Sequence, residues 1–396
     1  MRTSRCPLWP LGCALLLFLA SPALRAEDEV AKKTSEGDAA IEAAARRAVE
    51  KAAPAIVEIE TLGAMPDKVE APKDDPNAPG GTSDGILAKK GFKQAFGPST
   101  GVVVGKELVI TSTYALKREP RHIFVTRSDG KSFVATVLGK DEARMLALLK
   151  VPGADLTAGA EAKKDTIKVG RTALAVGKGY GVGTPTVSQG LVSAVDRASG
   201  KAIQTSANVS PACYGGPLVS LDGEIMGVCV PLAGMGGQAG VELYDCGIGF
   251  AIPIEDVRAI LPRLEKGETL KPAFLGVVVD QGRTEDGILI ESVQPKSPAD
   301  KAGLEDEDVI IEVDGKKAVG HHVLNHAIGK RSAGDKLKLV VLRGKERVEL
   351  EAKLAEAPKT PPRPKGPPGM PGPGGRPGPN PPGPNPPGPA PGGDDE

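Results

Sequence analysis

The stretch Gln204–Leu218, QTSANVSPACYGGPL, carries the residue types best suited to chemistry. It closes an extended segment, turns sharply at Gly215-Gly216-Pro217, and enters a second apolar run, LVSLDGEIMGVCV. Paired glycines let a backbone turn tightly and aim N–H groups at one point, as stabilising a developing oxyanion requires. Cys213 is a nucleophile by type, and Tyr214 stands between it and the glycines. Acyl transfer by a thiol or hydroxyl at neutral pH also needs a base within hydrogen-bond reach. Of the four histidines, His321, His322 and His326 cluster far downstream, which leaves His122 as the one in the part that holds the turn. A tyrosine, with a side-chain pKa of about 10, is a poor base in its place.

These residues must be positioned by a chain of 396 residues, enough for two or three domains. Its formal net charge is zero, so no polyanionic partner such as nucleic acid is implied. Residues 1–26 read as a secretory signal: Arg2 and Arg5 are basic, Leu11–Ala20 is apolar, and Leu24-Arg25-Ala26 ends on a small residue. The apolar run is too short to span a bilayer, so no transmembrane segment is expected after cleavage. A periplasmic or secreted location follows, where disulfides form. Cys213, Cys229 and Cys246 then allow one bridge and leave one thiol over, and the spacing does not choose the pair. His322 and His326 share a helical face but lack an acidic partner nearby, so neither metal nor cofactor is expected.

Asp38 caps an Ala-rich helix through Lys51, preceded by a frayed polar stretch and stopped by Pro54. Residues 62–98 are rich in Pro, Gly, Asp and Lys and read as a flexible insertion. From Thr100, short apolar runs alternate with Gly and Asp-Gly turns, the pattern of a barrel or sandwich. Residues 255–265 suggest a closing helix that Pro262 breaks. Residues 266–273 form a polar joint, and 274–355 read as an α+β module. In that module Ser297 caps a short helix that Gly303 ends. Residues 356–396 are mostly Pro and Gly, an extended disordered tail.

Several segments resemble the HtrA/DegP family of exported trypsin-like proteases that carry a PDZ domain. RAVEKAAPAIVEI, VSQGLVSAVDR, QTSANVSPACYGGPL and GIGFAIP are similar to its protease segments, and FLGV with VQPKSPADKAGLEDEDVIIEVDGK to its PDZ. The resemblance implies a mainly β chain: a chymotrypsin/trypsin-like double β-barrel over 27–265, a linker over 266–273, an α+β PDZ domain over 274–355 and the disordered tail. The family needs Ser, His and Asp at its site. The serine position falls on Tyr214. The histidine position in Thr111-Ser112-Thr113-Tyr114 falls on Tyr114, and the aspartate position before Leu146-Ala147-Leu148-Leu149-Lys150-Val151 falls on Met145. Ala212, Cys213 and Gly215 are remnants of the oxyanion turn. The chain is therefore expected not to be an enzyme but a pseudo-protease, its cleft plugged by Tyr114 and Tyr214. It would bind C-terminal or extended peptides and unfolded proteins through the PDZ as a scaffold, adaptor or regulator.

For peptide binding, the resemblance points to Phe274, Leu275, Gly276 and Val277 for the carboxylate. Val277 to Val279 would be the edge, with His322 and His326 on the facing helix. A homo-oligomer is open, since Phe92 and Phe96 are the nearest aromatics for the family's trimer contact. Two alternatives stand beside this reading: an active serine-type or Cys213-dependent endopeptidase of protein quality control, and a structural envelope protein.

Overall fold

The structure is a computed structural model that describes residues 22–63, 98–117, 119–179, 184–232, 247–280 and 287–357. The expected signal segment up to residue 21, nearly all of the 62–98 insertion with Phe92 and Phe96, Cys246, and the tail from residue 358 lie outside them.

Six strands close the first barrel: β1 (Ile56–Leu62), β2 (Ser99–Gly105), β3 (Leu108–Ser112), β4 (His122–Thr126), β5 (Ser132–Asp141) and β6 (Leu146–Lys150). They run in the order β5-β4-β1-β2-β3-β6, and β6 returns to β5. β7 (Thr172–Gly177), β8 (Thr186–Asp196), β9 (Ala202–Thr205), β10 (Pro217–Ser220), β11 (Ile225–Val230) and β12 (Gly249–Pro253) close the second. Full closure leaves no strand edge exposed. Val102, Val109, Ile110 and Leu146–Leu149 fill the first interior, and Ala175, Ile203, Leu218 and Met226 the second. The mainly β architecture with two closed barrels agrees with the fold expected.

Helix α1 (Pro22–Ala52) starts earlier than the Asp38 cap suggests and includes the stretch expected to fray. Its Ala45, Ala48, Val49 and Ala52 recur at helical spacing and pack on Leu174, Val176 and Val219 of the second barrel. Helix α2 (Ile254–Glu265) also departs from expectation, because Pro262 does not break it. Pro262 lies in the last turn, where the one lost N–H bond is outweighed by burying Ile254, Val257, Ile260, Leu261 and Leu264 on one face. Arg258 fastens the helix to Glu161 and to the Val104 carbonyl.

The polar joint is shared between neighbours. β13 (Thr269–Leu270) adds in parallel to β5, whereas β14 (Ala273–Phe274) pairs with β21 (Ala355–Glu356). The last module is a sheet in the order β15 (Val277–Val279), β16 (Ile288–Val293), β17 (Val309–Val313), β19 (Lys336–Arg343), β20 (Glu346–Lys353), with β18 (Lys316–Lys317) beside β17. Helices α3 (Pro298–Ala302) and α4 (His321–Gly329) complete it. The Ser297 hydroxyl accepts from the Asp300 amide at 3.2 Å, the Asp300 carboxylate accepts from the Lys296 amide, and Gly303 turns left-handed at φ 84°. This is the cap expected from sequence.

Candidate active site

The Gly-Gly-Pro turn lies where the two barrels meet. Gly215 has φ 84°, and a Cβ there would come within 2.3 Å of the Thr100 carbonyl and the Thr111 hydroxyl, both of the first barrel. Only glycine fits. Thr100 is the pin between the barrels: its hydroxyl donates to the Ala212 carbonyl at 2.7 Å and accepts from the Lys178 amide at 2.7 Å. The Thr111 hydroxyl in turn donates to the Thr100 carbonyl.

Tyr114, Met145 and Tyr214 come together here. Tyr114 stands in a 3₁₀ turn, Thr113–Leu116, that begins where β3 ends. The Ser112 hydroxyl accepts from the Tyr114 amide and donates to the Met145 carbonyl, both at 3.2 Å, and the Thr113 amide donates to the same carbonyl at 2.9 Å. Met145 is held at φ 58° and packs on the first barrel's core. The rings of Tyr114 and Tyr214 meet edge to face, 5.2 Å between centroids at 71°. That is a favourable aromatic geometry.

The turn keeps its own amides occupied. Cys213, Tyr214, Gly215 and Gly216 donate to the carbonyls of Ser210, Pro211, Cys229 and Cys213, at 2.8, 3.3, 2.8 and 2.8 Å. In this conformation none of these four N–H groups is aimed outward at an oxyanion. Ala212 and Cys213 are buried. Burial pushes the Cys213 thiol up from its ordinary value, partly offset by the Ser210 hydroxyl 3.9 Å from its sulfur. Cys229 is fully buried and is pushed well up by desolvation, with Cys213 adding to the effect. Both are free thiols. His122 is exposed on β4 beside the ring of Phe124.

Sequence reasoning missed a charged pair next to the turn. Burial lowers the Lys178 ammonium and raises the Glu58 carboxyl, and each group's charge opposes the shift of the other. Nothing in the local pattern marks them, because one follows β7 and the other lies in β1, 120 residues apart.

In the last module, Leu275 is buried and Gly276 turns at φ 91° against Ser297, whose Cβ would lie 2.3 Å from a side chain at Gly276. The Leu275 and Gly276 carbonyls accept from Ala299 and Gln294. Phe274 is the last residue of β14. β15 is an end strand of its sheet, with Val278 exposed, while Val277 and Val279 pack on the core together with Val323, Ala327 and Ile328 of α4. The histidines correct the expectation of a peptide-facing pair. His326 faces the second barrel, its ring against Gly200 and its Nε2 3.4 Å from Asp196, and the exposed His322 lines the same cleft. The apolar face of α4 is taken by the domain core, so the polar face turns outward. Among the described residues no group of three His, Cys, Asp or Glu could hold a metal ion, and no helix is long and apolar enough to cross a membrane.

Comparison with known proteins adds the family context. Residues 99–228 match the trypsin-like peptidase domain and residues 273–354 the PDZ domain. A protein of Marinomonas sp. (strain MWYL1), named as a probable periplasmic serine endoprotease, DegP-like, is 30% identical over 337 residues, 77% of this chain and 70% of the relative. One of the same name from Chlamydia pneumoniae is 32% identical over 277 residues, 66% of this chain and 55% of its own length. The chain thus spans little more than half of that second relative. Among solved structures, the HtrA-type protease AlgW with decapeptide is 26% identical at a TM-score of 0.56, covering 79% of this chain and 98% of that one. The serine endoprotease from Yersinia pestis, 24% identical at a TM-score of 0.55 with the same coverage, shares the fold. These comparisons overturn the expectation that the chain is not an enzyme, because its relatives are named as serine endoproteases. The reading as an inactive scaffold gives way to the endopeptidase alternative.

Proposed function

Because the chain belongs to the HtrA/DegP-like family of trypsin-fold serine proteases with a PDZ domain, we propose that it is a slow endopeptidase of protein quality control, periplasmic or secreted. It takes hold of unfolded proteins by C-terminal or extended peptide segments. The observation that carries this reading is the architecture itself: two closed barrels meeting at a Gly-Gly-Pro turn, followed by a glycine loop beside an end strand. A peptide adds to β15 at Val277–Val279, and its carboxylate faces the Phe274-Leu275-Gly276-Val277 loop. Main-chain bonds supply affinity and alternate side chains supply specificity. AlgW, solved with a decapeptide, supports peptide capture by this architecture.

Tyr214, Tyr114 and Met145 take the nucleophile, base and orienting positions of the family, so the Ser-His-Asp route is replaced. Cys213 is the acyl acceptor. Its thiol loses a proton to solvent, the thiolate attacks the peptide carbonyl, the C–N bond breaks as the leaving amine takes a proton from water, and water then hydrolyses the thioester to return the thiol. Loss of a full triad costs on the order of 10⁶-fold in rate, which sets the expectation of slow turnover. Turnover includes opening of the turn, and the 3.3 Å bond from the Tyr214 amide to Pro211 is the longest of the four to release.

The test is peptide capture and cleavage by the folded full chain. A labelled peptide with a free C-terminus should bind, and its amidated twin should bind at least several-fold more weakly. Cleavage of the bound peptide should rise steadily from pH 6 to 9, because burial raises the Cys213 thiol and the thiolate is the nucleophile. Equal binding of the two peptides, or a rate unchanged by Cys213→Ala, contradicts the reading.

A further inference from the structure

The connection from β8 to β9 is wound left-handed. Asp196, Ala198 and Ser199 have φ of 55°, 51° and 58°, and Gly200 follows at 82°. Side chains with a Cβ resist this conformation, and three such residues within four positions persist only where the surroundings over-determine them. Those surroundings are α4. A Cβ on Gly329 of α4 would lie 2.1 Å from the Ser199 carbonyl, and one on Gly200 would lie 1.9 Å from the His326 ring. Two glycines facing each other's element let the tip and the helix approach this closely. The Asp196 carboxylate lies 3.3 Å from the Lys330 ammonium and 3.4 Å from His326 Nε2. That nitrogen is buried and makes no directed hydrogen bond, so in the closed arrangement the ring sits beside Asp196 without a bond that fixes a proton on it.

The charges around His326 come from every packed element. On α4 and just beyond it are His321, His322 and Lys330, and on β18 stands Lys316. The tip contributes Asp196, Arg197 and Lys201. Behind the tip, Arg144 pairs with Asp141 at 2.8 Å and donates to the Lys330 carbonyl, so the Asp141 charge is already spent on Arg144. Among the described residues Asp196, shared with Lys330, is the acid that faces His326, against Lys330 and Lys316. A cleft of about 540 Å³ lined by Arg197, Lys316, His321 and His322 gives water and protons access to the contact.

We propose that the left-handed tip and α4 form a latch between the second barrel and the PDZ domain, closed while His326 is neutral and released when it takes up a proton. Consistent with this, desolvation, then the Lys330 charge, hold the His326 imidazole below its ordinary value, with Asp196 opposing. The sign follows by linkage. Above about pH 6.5 the ring is neutral whether latched or free, so nothing penalises closure. As the pH falls through that value, the freed ring binds a proton that the latched ring refuses, and closure weakens. This holds independently of the peptidase reading, since its readout is docking and not cleavage.

The experiment is hydrogen exchange by mass spectrometry on the full chain at pH 7.5 and 5.0, corrected for the intrinsic pH effect. Amides of residues 196–201 and 321–329 should lose protection several-fold at pH 5.0 while β19 and β20 keep theirs. His326→Gln should stay protected at both values. Gly200→Ala should be open at both, with the barrel and PDZ strands still protected. Asp196→Asn, which removes the charge facing both Lys330 and His326, should move release to higher pH. The proposal is overturned if protection at these segments rises in acid, or if His326→Gln keeps the wild-type pH response.

Discussion

Tyr214 shows how one side chain can decide what a turn does. Its ring is buried and packs edge to face on Tyr114, so the pair is a piece of core at the turn. Tyr214→Ala should therefore cost about 2–4 kcal/mol in urea unfolding, in the range of large-to-small changes at buried positions. Gly215→Ala should cost as much or more, since it adds a left-handed alanine and a clash with two first-barrel oxygens. Both thiols are buried, and burial keeps them protonated. A disulfide reagent at pH 7 should label Cys213 slowly, only as the turn opens, and Cys229 no faster than the protein unfolds, and labelling of both within seconds would contradict their placement. That Tyr114 and Tyr214 would approach each other was legible because each adjoins a recognisable neighbour, Thr111-Ser112-Thr113 before the one and Gly215-Gly216-Pro217 after the other. Whether the four turn amides point out or in was not legible, because backbone hydrogen bonding in a 3₁₀ turn leaves no mark on residue choice.

At the level of elements, the strands announced themselves by alternation and the PDZ helix by its cap. Helix α1 was read too short because capping residues occur inside helices as well as before them. Pro262 was read as a break because its buried neighbours at helical spacing were given too little weight. The left-handed tip could not be read at all: Asp-Arg-Ala-Ser-Gly carries one glycine for three left-handed residues without one, and the reason lies on a helix 125 residues later. Acid stability of the PDZ element follows from Asp308, whose side chain is 1% exposed. Burial alone would raise this carboxyl, but Arg343 and the Glu305 amide hold it below its ordinary value. Its contribution is therefore present above about pH 4 and is lost as the pH falls through the lower folded value. Asp308→Asn should flatten the acid limb of the domain's melting curve below pH 4 and lower its melting temperature at pH 7. An unchanged acid limb would contradict the assignment.

Across the whole described molecule, the PDZ domain is tied to the barrels by more than the latch. Arg263 of α2 pairs with Asp335 at 3.0 Å and with Glu268 at 2.8 Å, and the Ala333 amide donates to the Lys271 carbonyl. Arg263→Ala should loosen docking without unfolding either domain, visible as a larger radius of gyration and two unchanged melting transitions. The proposed function has one domain capture unfolded protein and the turn between the two barrels cut it. The most direct measurement is mass spectrometry of denatured casein after prolonged incubation with the folded full chain, beside its Cys213→Ala variant. The account predicts new termini that accumulate slowly with the wild-type chain and are absent with the variant. Casein that stays intact with both, while free-carboxylate peptides still bind, would contradict it.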